Sequence, residues 1–249
     1  MRNLEKFKNK LKNNEHITID FVGDSITHGL NYCAAEETYV AKFAAEMAKK
    51  FPEFSVYRYD GIVKDELSPL VGFEGPFLVS AGTGKGRIDI IRNGVGGNTI
   101  MRAYNRIHNF TGTLANEKEP DLTFLMFGIN DALKSDESKY VTPEKFKENY
   151  KMLIDEIRVR NSGTAIVLLS STYNGFGIKD HCEKSMELAK EENIPYIDMF
   201  KFWCDHYDEN ADNYGQGEWL FGNGDSCHPM PIGAELTAKH IFNEFMKLI

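Results

Sequence analysis

The sequence has no long hydrophobic run and no leader-like segment, and both absences narrow the kind of protein it encodes. No stretch of its 249 residues approaches the ~18 consecutive apolar residues that a membrane-spanning helix requires. The charged N-terminus leads into no apolar signal-peptide region, which predicts a cytoplasmic protein without stable membrane association. The formal net charge of −8 disfavours nucleic acid as a partner, because proteins bind nucleic acids through basic patches on their surface.

Cysteine is also scarce, and its spacing argues against both disulfides and metal. The four cysteines, at positions 33, 182, 204 and 227, show no close pairing such as Cys-x-x-Cys, so reduced thiols are expected. Three of them lie beside histidines and are candidate zinc ligands, but their spacings match no established pattern. The glycine-rich run 82–86 lacks the residues of a nucleotide-binding phosphate loop. We therefore expect no metal and no cofactor, with a metal-dependent hydrolase as a remaining alternative.

Short runs rich in β-branched and aromatic residues alternate with segments of helical periodicity. The runs that predict strands are 17–22, 88–92, 122–127, 165–169 and 195–197. Strands that alternate with helices indicate a parallel sheet covered by helices on both faces. The sequence therefore predicts a single domain over residues 1–249 with an α/β fold, a three-layer α/β/α sandwich around a mostly parallel sheet.

Apolar spacing and capping residues place the helices. Residues 40–51 and the last helix, ending at Ile249, each carry apolar residues on one face, and Thr142 is the expected N-cap of a third helix. Two segments depart from the pattern. Residues 56–87 contain six glycines and are predicted to form an inserted hairpin or long loop. The aromatic-rich segment 203–224 either forms a wall of a substrate pocket or packs against the domain.

Four short polar motifs follow predicted strands or precede the last helix. They are Gly23-Asp24-Ser25, Gly96-Gly97-Asn98-Thr99, Gly128-Ile129-Asn130-Asp131 and Asp225-Ser226-Cys227-His228-Pro229. Ligands in open α/β sheets bind where strands end and helices begin. Acyl transfer needs a nucleophile, a base and donors for the oxyanion, and the four motifs contain all three kinds of group.

Each of these residues also has an ordinary structural interpretation. Ser25 is a good helix N-cap, Gly97 suits a turn with positive φ, and Asn130 is a common turn residue. His228 differs because Asp225 stands three positions earlier, where a carboxylate can orient the imidazole. The ordered set of motifs favours the catalytic interpretation over four separate coincidences.

The four motifs resemble those of the SGNH hydrolases, also called GDSL-type esterases and lipases, over residues from about 17 to 240. The resemblance implies a flavodoxin-like fold, with Ser25 as the nucleophile, His228 as the base and Asp225 as its orienting acid. It also implies an oxyanion hole formed by Ser25, Gly97 and Asn130. Asp24 and Asp131 are interpreted as supporting residues. The chain departs from the motif at Ile26, where leucine is usual, and the exchange is conservative.

The function that this resemblance implies is a serine ester hydrolase working through an acyl-enzyme. The expected partner is a small-molecule ester, either a short-chain acyl ester or an acetylated carbohydrate. An acyltransferase or thioesterase would use the same residues. A non-catalytic binding module that keeps the fold is the alternative of a different class.

Overall fold

A computed structural model of the chain describes residues 2–29, 32–63, 70–111, 119–172, 177–209 and 228–249. The strands in these residues are β1 (His16–Gly23), β2 (Phe54–Val63), β3 (Leu70–Ser80), β4 (Gly86–Gly94), β5 (Leu122–Met126), β6 (Ala165–Leu169) and β7 (Tyr196–Ile197). The helices are α1 (Arg2–Lys12), α2 (Ser25–His28), α3 (Tyr39–Lys50), α4 (Ile100–Asn105), α5 (His108–Thr111), α6 (Pro143–Arg160), α7 (Lys179–Glu191), α8 (Met199–Glu209) and α9 (Pro231–Leu248).

The described strands form a seven-stranded sheet in the order β3-β2-β4-β1-β5-β6-β7. All neighbouring pairs are parallel except β2 and β3. The register of β1 aligns Gly23 with Gly94 of β4 and with Met126 of β5. The carboxyl ends of these three central strands therefore lie side by side, where an open parallel sheet holds its ligand.

Helices cover both faces of the sheet, and the alternation of strand side chains explains why. Ile17, Ile19 and Phe21 of β1 point to one face, where they pack in a core with α1, α3, α8 and α9. Val22 points to the opposite face and packs in a second core with α4, α5, α6 and α7. Parallel strands are buried on both faces, and all residues of β1 after His16 are buried, including the polar Thr18 and Asp20. The three-layer α/β/α architecture predicted from the sequence is confirmed.

Residues 56–87 were predicted to form an inserted hairpin or long loop, but part of this segment belongs to the central sheet. β2 pairs antiparallel with β3 but also pairs parallel with β4, so it belongs to the central sheet. Arg58 and Asp60 interrupt the apolar pattern of β2. They can be buried there because Nε of Arg58 donates to Oδ2 of Asp60 at 3.0 Å. No helix among the described residues is long and apolar enough to cross a membrane.

Candidate active site

Ser25 is the first residue of α2, immediately after the carboxyl end of β1. Asp24 caps this short helix, because its carboxylate accepts a hydrogen bond from the N–H of Ile26 at 2.9 Å. A Cβ atom on Gly23 would lie 2.1 Å from Oγ1 of Thr27, so the chain can turn this sharply only with glycine there. The turn places Ser25 at the carboxyl-end edge of the sheet.

The nucleophile predicted from the sequence meets the predicted base. Oγ of Ser25 lies 2.7 Å from Nε2 of His228, which precedes α9 and is 203 positions away in the chain. With the imidazole neutral and protonated at Nδ1, Nε2 accepts the hydrogen bond from the serine hydroxyl. This is the geometry in which a histidine removes the proton as serine attacks a carbonyl.

Two residues that sequence reasoning did not identify hold the His228 segment in place. The ring of Tyr32 stacks on the imidazole of His228, with 4.6 Å between ring centroids and 10° between the planes. The thiol of Cys33 donates a hydrogen bond to the carbonyl of Pro229 at 3.4 Å. Burial raises the pKa of this thiol to about 11, which keeps it protonated as a donor at neutral pH. Neither residue lies in a recognisable motif.

The two predicted oxyanion donors belong to loops that are directly bonded to each other. Gly97 has φ of 66°, the left-handed region that glycine adopts without strain. The side-chain amide of Asn130 donates a hydrogen bond to the backbone carbonyl of Asn98 at 3.0 Å. A primary amide has two hydrogens, so this bond orients the group and leaves the second hydrogen for another acceptor.

The two supporting aspartates are buried, and each accepts a hydrogen bond from a backbone N–H at the start of a helix. The Asp131 carboxylate accepts from the N–H of Ile100 at 3.2 Å, which joins the loop after β5 to α4. Burial raises the pKa of Asp131 to about 7, and the nearby charge of Asp24 adds to this shift. Burial likewise raises the pKa of Asp24 to about 6, while the Ile26 N–H and the charge of His228 oppose the increase.

The strand ends bring most of the predicted site residues into one region. A backbone hydrogen bond joins the loop after β4 directly to the end of β1. The N–H of Val95, in the loop after β4, donates to the carbonyl of Gly23 at 3.1 Å. Asp225, the predicted acid, lies outside the described residues, as does most of the aromatic segment 203–224. Trp203 at its start is in α8 and is buried in the core, where it packs against the domain.

The described residues contain no group of three or more His, Cys, Asp or Glu side chains placed to share a metal ion. Cys182, one of the cysteines beside a histidine, is buried, and burial raises the pKa of its thiol. His181 next to it donates from Nε2 to the carbonyl of Val141 at 3.0 Å. These two side chains therefore serve packing and loop support in the described structure.

A family model described as GDSL-like lipase/acylhydrolase matches residues 76–236, well over half of the chain. The chain belongs to this family. As a GDSL-type hydrolase, it is a carboxylic ester hydrolase whose family acts on small ester substrates. The matched region contains the second, third and fourth motifs and begins after Ser25. No curated protein matches the chain.

Solved structures of esterases share the fold of this GDSL-type hydrolase. An acetyl xylan esterase, AlAXEase, is 20% identical with a TM-score of 0.63, and the match covers 91% of this chain and 98% of that one. A peptidoglycan O-acetylesterase is 11% identical with a TM-score of 0.69, covering 99% and 95%. A two-domain esterase active on acetylated mannans is 21% identical with a TM-score of 0.65, covering 99% of this chain and 53% of that one. The hydrolase thus spans about half of the two-domain enzyme.

Proposed function

We propose that this protein is a serine esterase that removes small acyl groups, in particular O-acetyl groups on carbohydrates, through an acyl-enzyme. The observation that carries the proposal is the 2.7 Å contact between Oγ of Ser25 and Nε2 of His228. A hydroxyl becomes a useful nucleophile at neutral pH when a base accepts its proton during attack. Asp24 and Asp131, next to Ser25 and Asn130 in the chain, are buried, and each accepts a backbone hydrogen bond that offsets part of the cost of burial; such paired buried carboxyl groups support a built site.

The reaction follows from this arrangement in two halves. Oγ of Ser25 attacks the ester carbonyl while His228 takes its proton, and the carbonyl electrons move to oxygen. The N–H groups of Gly97 and Ser25 and the free amide hydrogen of Asn130 stabilise that oxyanion. His228 then gives its proton to the leaving alcohol, which leaves an acyl-serine. Water attacks the acyl group with His228 again as the base, and the acid is released as Ser25 regains its proton.

In this mechanism Asp225 holds Nδ1 of His228 and stabilises the imidazolium that forms in each half-reaction. This assignment rests on the position of Asp225 three residues before His228 in the sequence. Tyr32 supports the same step, because the face of an aromatic ring stabilises a cation stacked on it.

The substrate class rests on the structural neighbours. Three of them are esterases whose stated substrates carry O-acetyl groups on xylan, mannan or peptidoglycan. An acetyl group is a small acyl unit, so an enzyme specialised for it needs no long apolar channel. We therefore expect acetyl esters to be cleaved faster than longer acyl esters.

The Ser25→Ala variant tests the mechanism. Loss of a nucleophile whose partners act as a unit is expected to lower kcat for 4-nitrophenyl acetate by several orders of magnitude, with the melting temperature unchanged. Ser138→Ala is the matched control, since Ser138 is exposed and its hydroxyl binds Asp136 in a surface turn. Retention of more than about a tenth of kcat by Ser25→Ala contradicts the assignment, because water activated by the base does not replace a lost nucleophile so well.

A substrate panel tests the acyl specificity. The purified enzyme is assayed with 4-nitrophenyl acetate, butyrate and hexanoate and with acetylated xylo-oligosaccharides, and free acetate is measured. We expect the highest kcat/KM for acetyl esters and release of acetate from the oligosaccharides. Equal or greater kcat/KM for the hexanoate, with no acetate release, contradicts the substrate class while leaving the mechanism in place.

A further inference from the structure

Arg106 is a buried cation beneath the candidate active site, and no sequence motif marks it. It follows α4 directly, and only 5% of its surface is exposed. A guanidinium removed from water loses a large hydration energy, which its surroundings must replace with hydrogen bonds and opposite charge. Such a residue is expected to have a specific structural or functional role.

Its guanidinium contacts the ends of β1 and β4 and the loop that follows β4. Nη2 donates to the carbonyls of Gly23 and Asn93, both at 3.1 Å. Nη1 donates to Oδ1 of Asn93 at 2.6 Å, and Nε donates to Oδ1 of Asn98 at 2.7 Å. Gly23 ends β1 two residues before Ser25, Asn93 lies near the end of β4, and Asn98 follows Gly97. One planar group therefore joins the end of β1, which leads to Ser25, to the segment after β4 that carries Gly97.

The loop after β5 is reached through Asn98. The side chain of Asn98 accepts from Arg106, and its backbone carbonyl accepts from the amide of Asn130. A shift of Asn98 therefore moves the Gly97 peptide and the Asn130 amide together. We infer that Arg106 is a positioning residue that sets the nucleophile loop and both oxyanion donors at fixed distances from one another. This inference rests on the proposed function, since it assigns Arg106 a role relative to Ser25, Gly97 and Asn130.

The chemistry of the guanidinium suits this role. Burial lowers the pKa of Arg106 to about 10, and the charges of Asp20 and Asp24 oppose that decrease, so the group stays protonated at neutral pH. Its donors point in fixed directions in one plane, which matches acceptors on different loops. A lysine ammonium is a single point of donation and cannot reach Gly23, Asn93 and Asn98 in the same geometry.

The test measures kcat and KM for 4-nitrophenyl acetate in Arg106→Met, Arg106→Lys, Asn98→Ala and the double variant Arg106→Met/Asn98→Ala, with melting temperature on the same preparations. A displacement of about 1 Å in a reacting group costs about 10²-fold, so we expect Arg106→Met to lose about that factor in kcat with KM changed less than about threefold. Arg106→Lys is expected to recover part of the loss. Asn98→Ala removes the acceptor of Nε, and its loss is expected to be less than additive with that of Arg106→Met.

The matched control is Arg87→Met. Arg87 is a half-buried arginine that donates to Asp89 at 2.7 Å and to the hydroxyl of Tyr59 at 2.8 Å, and it lies near the amino end of β4, at the opposite edge of the sheet from the site. It is expected to lower the melting temperature and to keep kcat per folded molecule. A role of Arg106 in stability alone predicts the same pattern for Arg106→Met, and that result overturns the inference.

The remaining outcomes distinguish failure of the positioning role from failure of the proposed function. If Arg106→Met does not fold, Asn98→Ala carries the test, and an unchanged kcat in that variant overturns the inference. Full activity in Ser25→Ala would refute the proposed function itself. Loss of activity in Ser25→Ala together with normal kcat in the Arg106 and Asn98 variants would refute only the positioning role.

Discussion

Asn130 has two amide hydrogens with different surroundings, and the difference makes its role measurable. One hydrogen is directed to the carbonyl of Asn98 at 3.0 Å, which fixes the plane of the amide. The other is the proposed donor to the oxyanion. Since negative charge on the carbonyl oxygen is greatest in the transition state, a donor aimed at it stabilises that state more than bound substrate.

Replacing Asn130 with alanine is therefore expected to lower kcat by about 10²–10³-fold and to change KM little. Asn130→Asp should be at least as damaging, because a carboxylate would repel the oxyanion. The measurement is steady-state kinetics together with melting temperature on one preparation of each variant. A lower melting temperature with unchanged kcat per folded molecule would make Asn130 a turn residue and place the oxyanion donor elsewhere.

At the scale of elements, α6 shows how a local signal defines a helix. The sequence predicts Thr142 as its N-cap, and in the structure Oγ1 of Thr142 accepts from the N–H of Lys145 at 3.3 Å. Pro143 occupies the first turn, where its missing N–H costs nothing. The apolar face of α6 packs against the sheet through Phe146, Tyr150 and Leu153, which are all buried.

Thr142→Ala is expected to lower the free energy of unfolding by about 1 kcal/mol, because one N-terminal amide of α6 loses its acceptor. The effect on kcat should be small, since the helix stays packed on the sheet. Thr142→Ser keeps the acceptor oxygen and serves as the control. Chemical denaturation of the three proteins measures the difference. A loss in Thr142→Ala no larger than that in Thr142→Ser would show that the cap contributes little.

At the scale of the whole molecule, buried carboxyl groups couple stability to pH. Burial raises the pKa of Asp20 to about 8, although the Asn93 amide, which donates to Oδ2 at 3.2 Å, opposes the shift. The other carboxylate oxygen of Asp20 has no hydrogen-bond partner among the described residues. Asp24 and Asp131 are shifted in the same direction, to about 6 and about 7.

The sign of the resulting pH dependence follows from the direction of the shifts. A carboxyl group with a higher pKa in the folded state than in the unfolded state binds its proton more tightly when folded. Its contribution to stability is fully present below the unfolded value, near 3.8, and is lost as pH rises through the folded value. Each of these three carboxyl groups therefore contributes a decrease in melting temperature as pH rises from about 4 toward its own folded value, while His28, whose pKa burial lowers to about 4, contributes an increase.

Asp20→Asn tests this account, because a carboxamide is neutral at every pH, like the protonated acid. We expect the variant to lose part of the pH dependence, so that its stability relative to wild type increases between pH 5 and about 8. Thermal unfolding at several pH values measures both slopes. Parallel curves for the two proteins would show that Asp20 does not titrate in this range.

The local parts of this molecule were predictable from the sequence. The strand Ala165–Leu169 was predicted with its observed limits, and Thr142 was predicted as the cap of α6. β2 was not predicted as a strand of the central sheet, because Arg58 and Asp60 break its apolar pattern and their pairing is visible only once the strand is built. Apolar periodicity predicts only those buried positions that carry apolar residues, so it misses a strand whose buried positions include an ion pair.

Five of the strands, three of the helices, the layered architecture and the family could be inferred from the sequence, since these depend on local patterns and short motifs. The contact of Ser25 with His228 spans 203 positions, and that of Arg106 with Gly23 spans 83, so neither leaves a periodic signal in the chain. The stacking of Tyr32 on His228 also joins distant parts of the chain and leaves no periodic signal. The distances in these contacts follow from the assembled fold, because the sheet register sets the strand ends side by side.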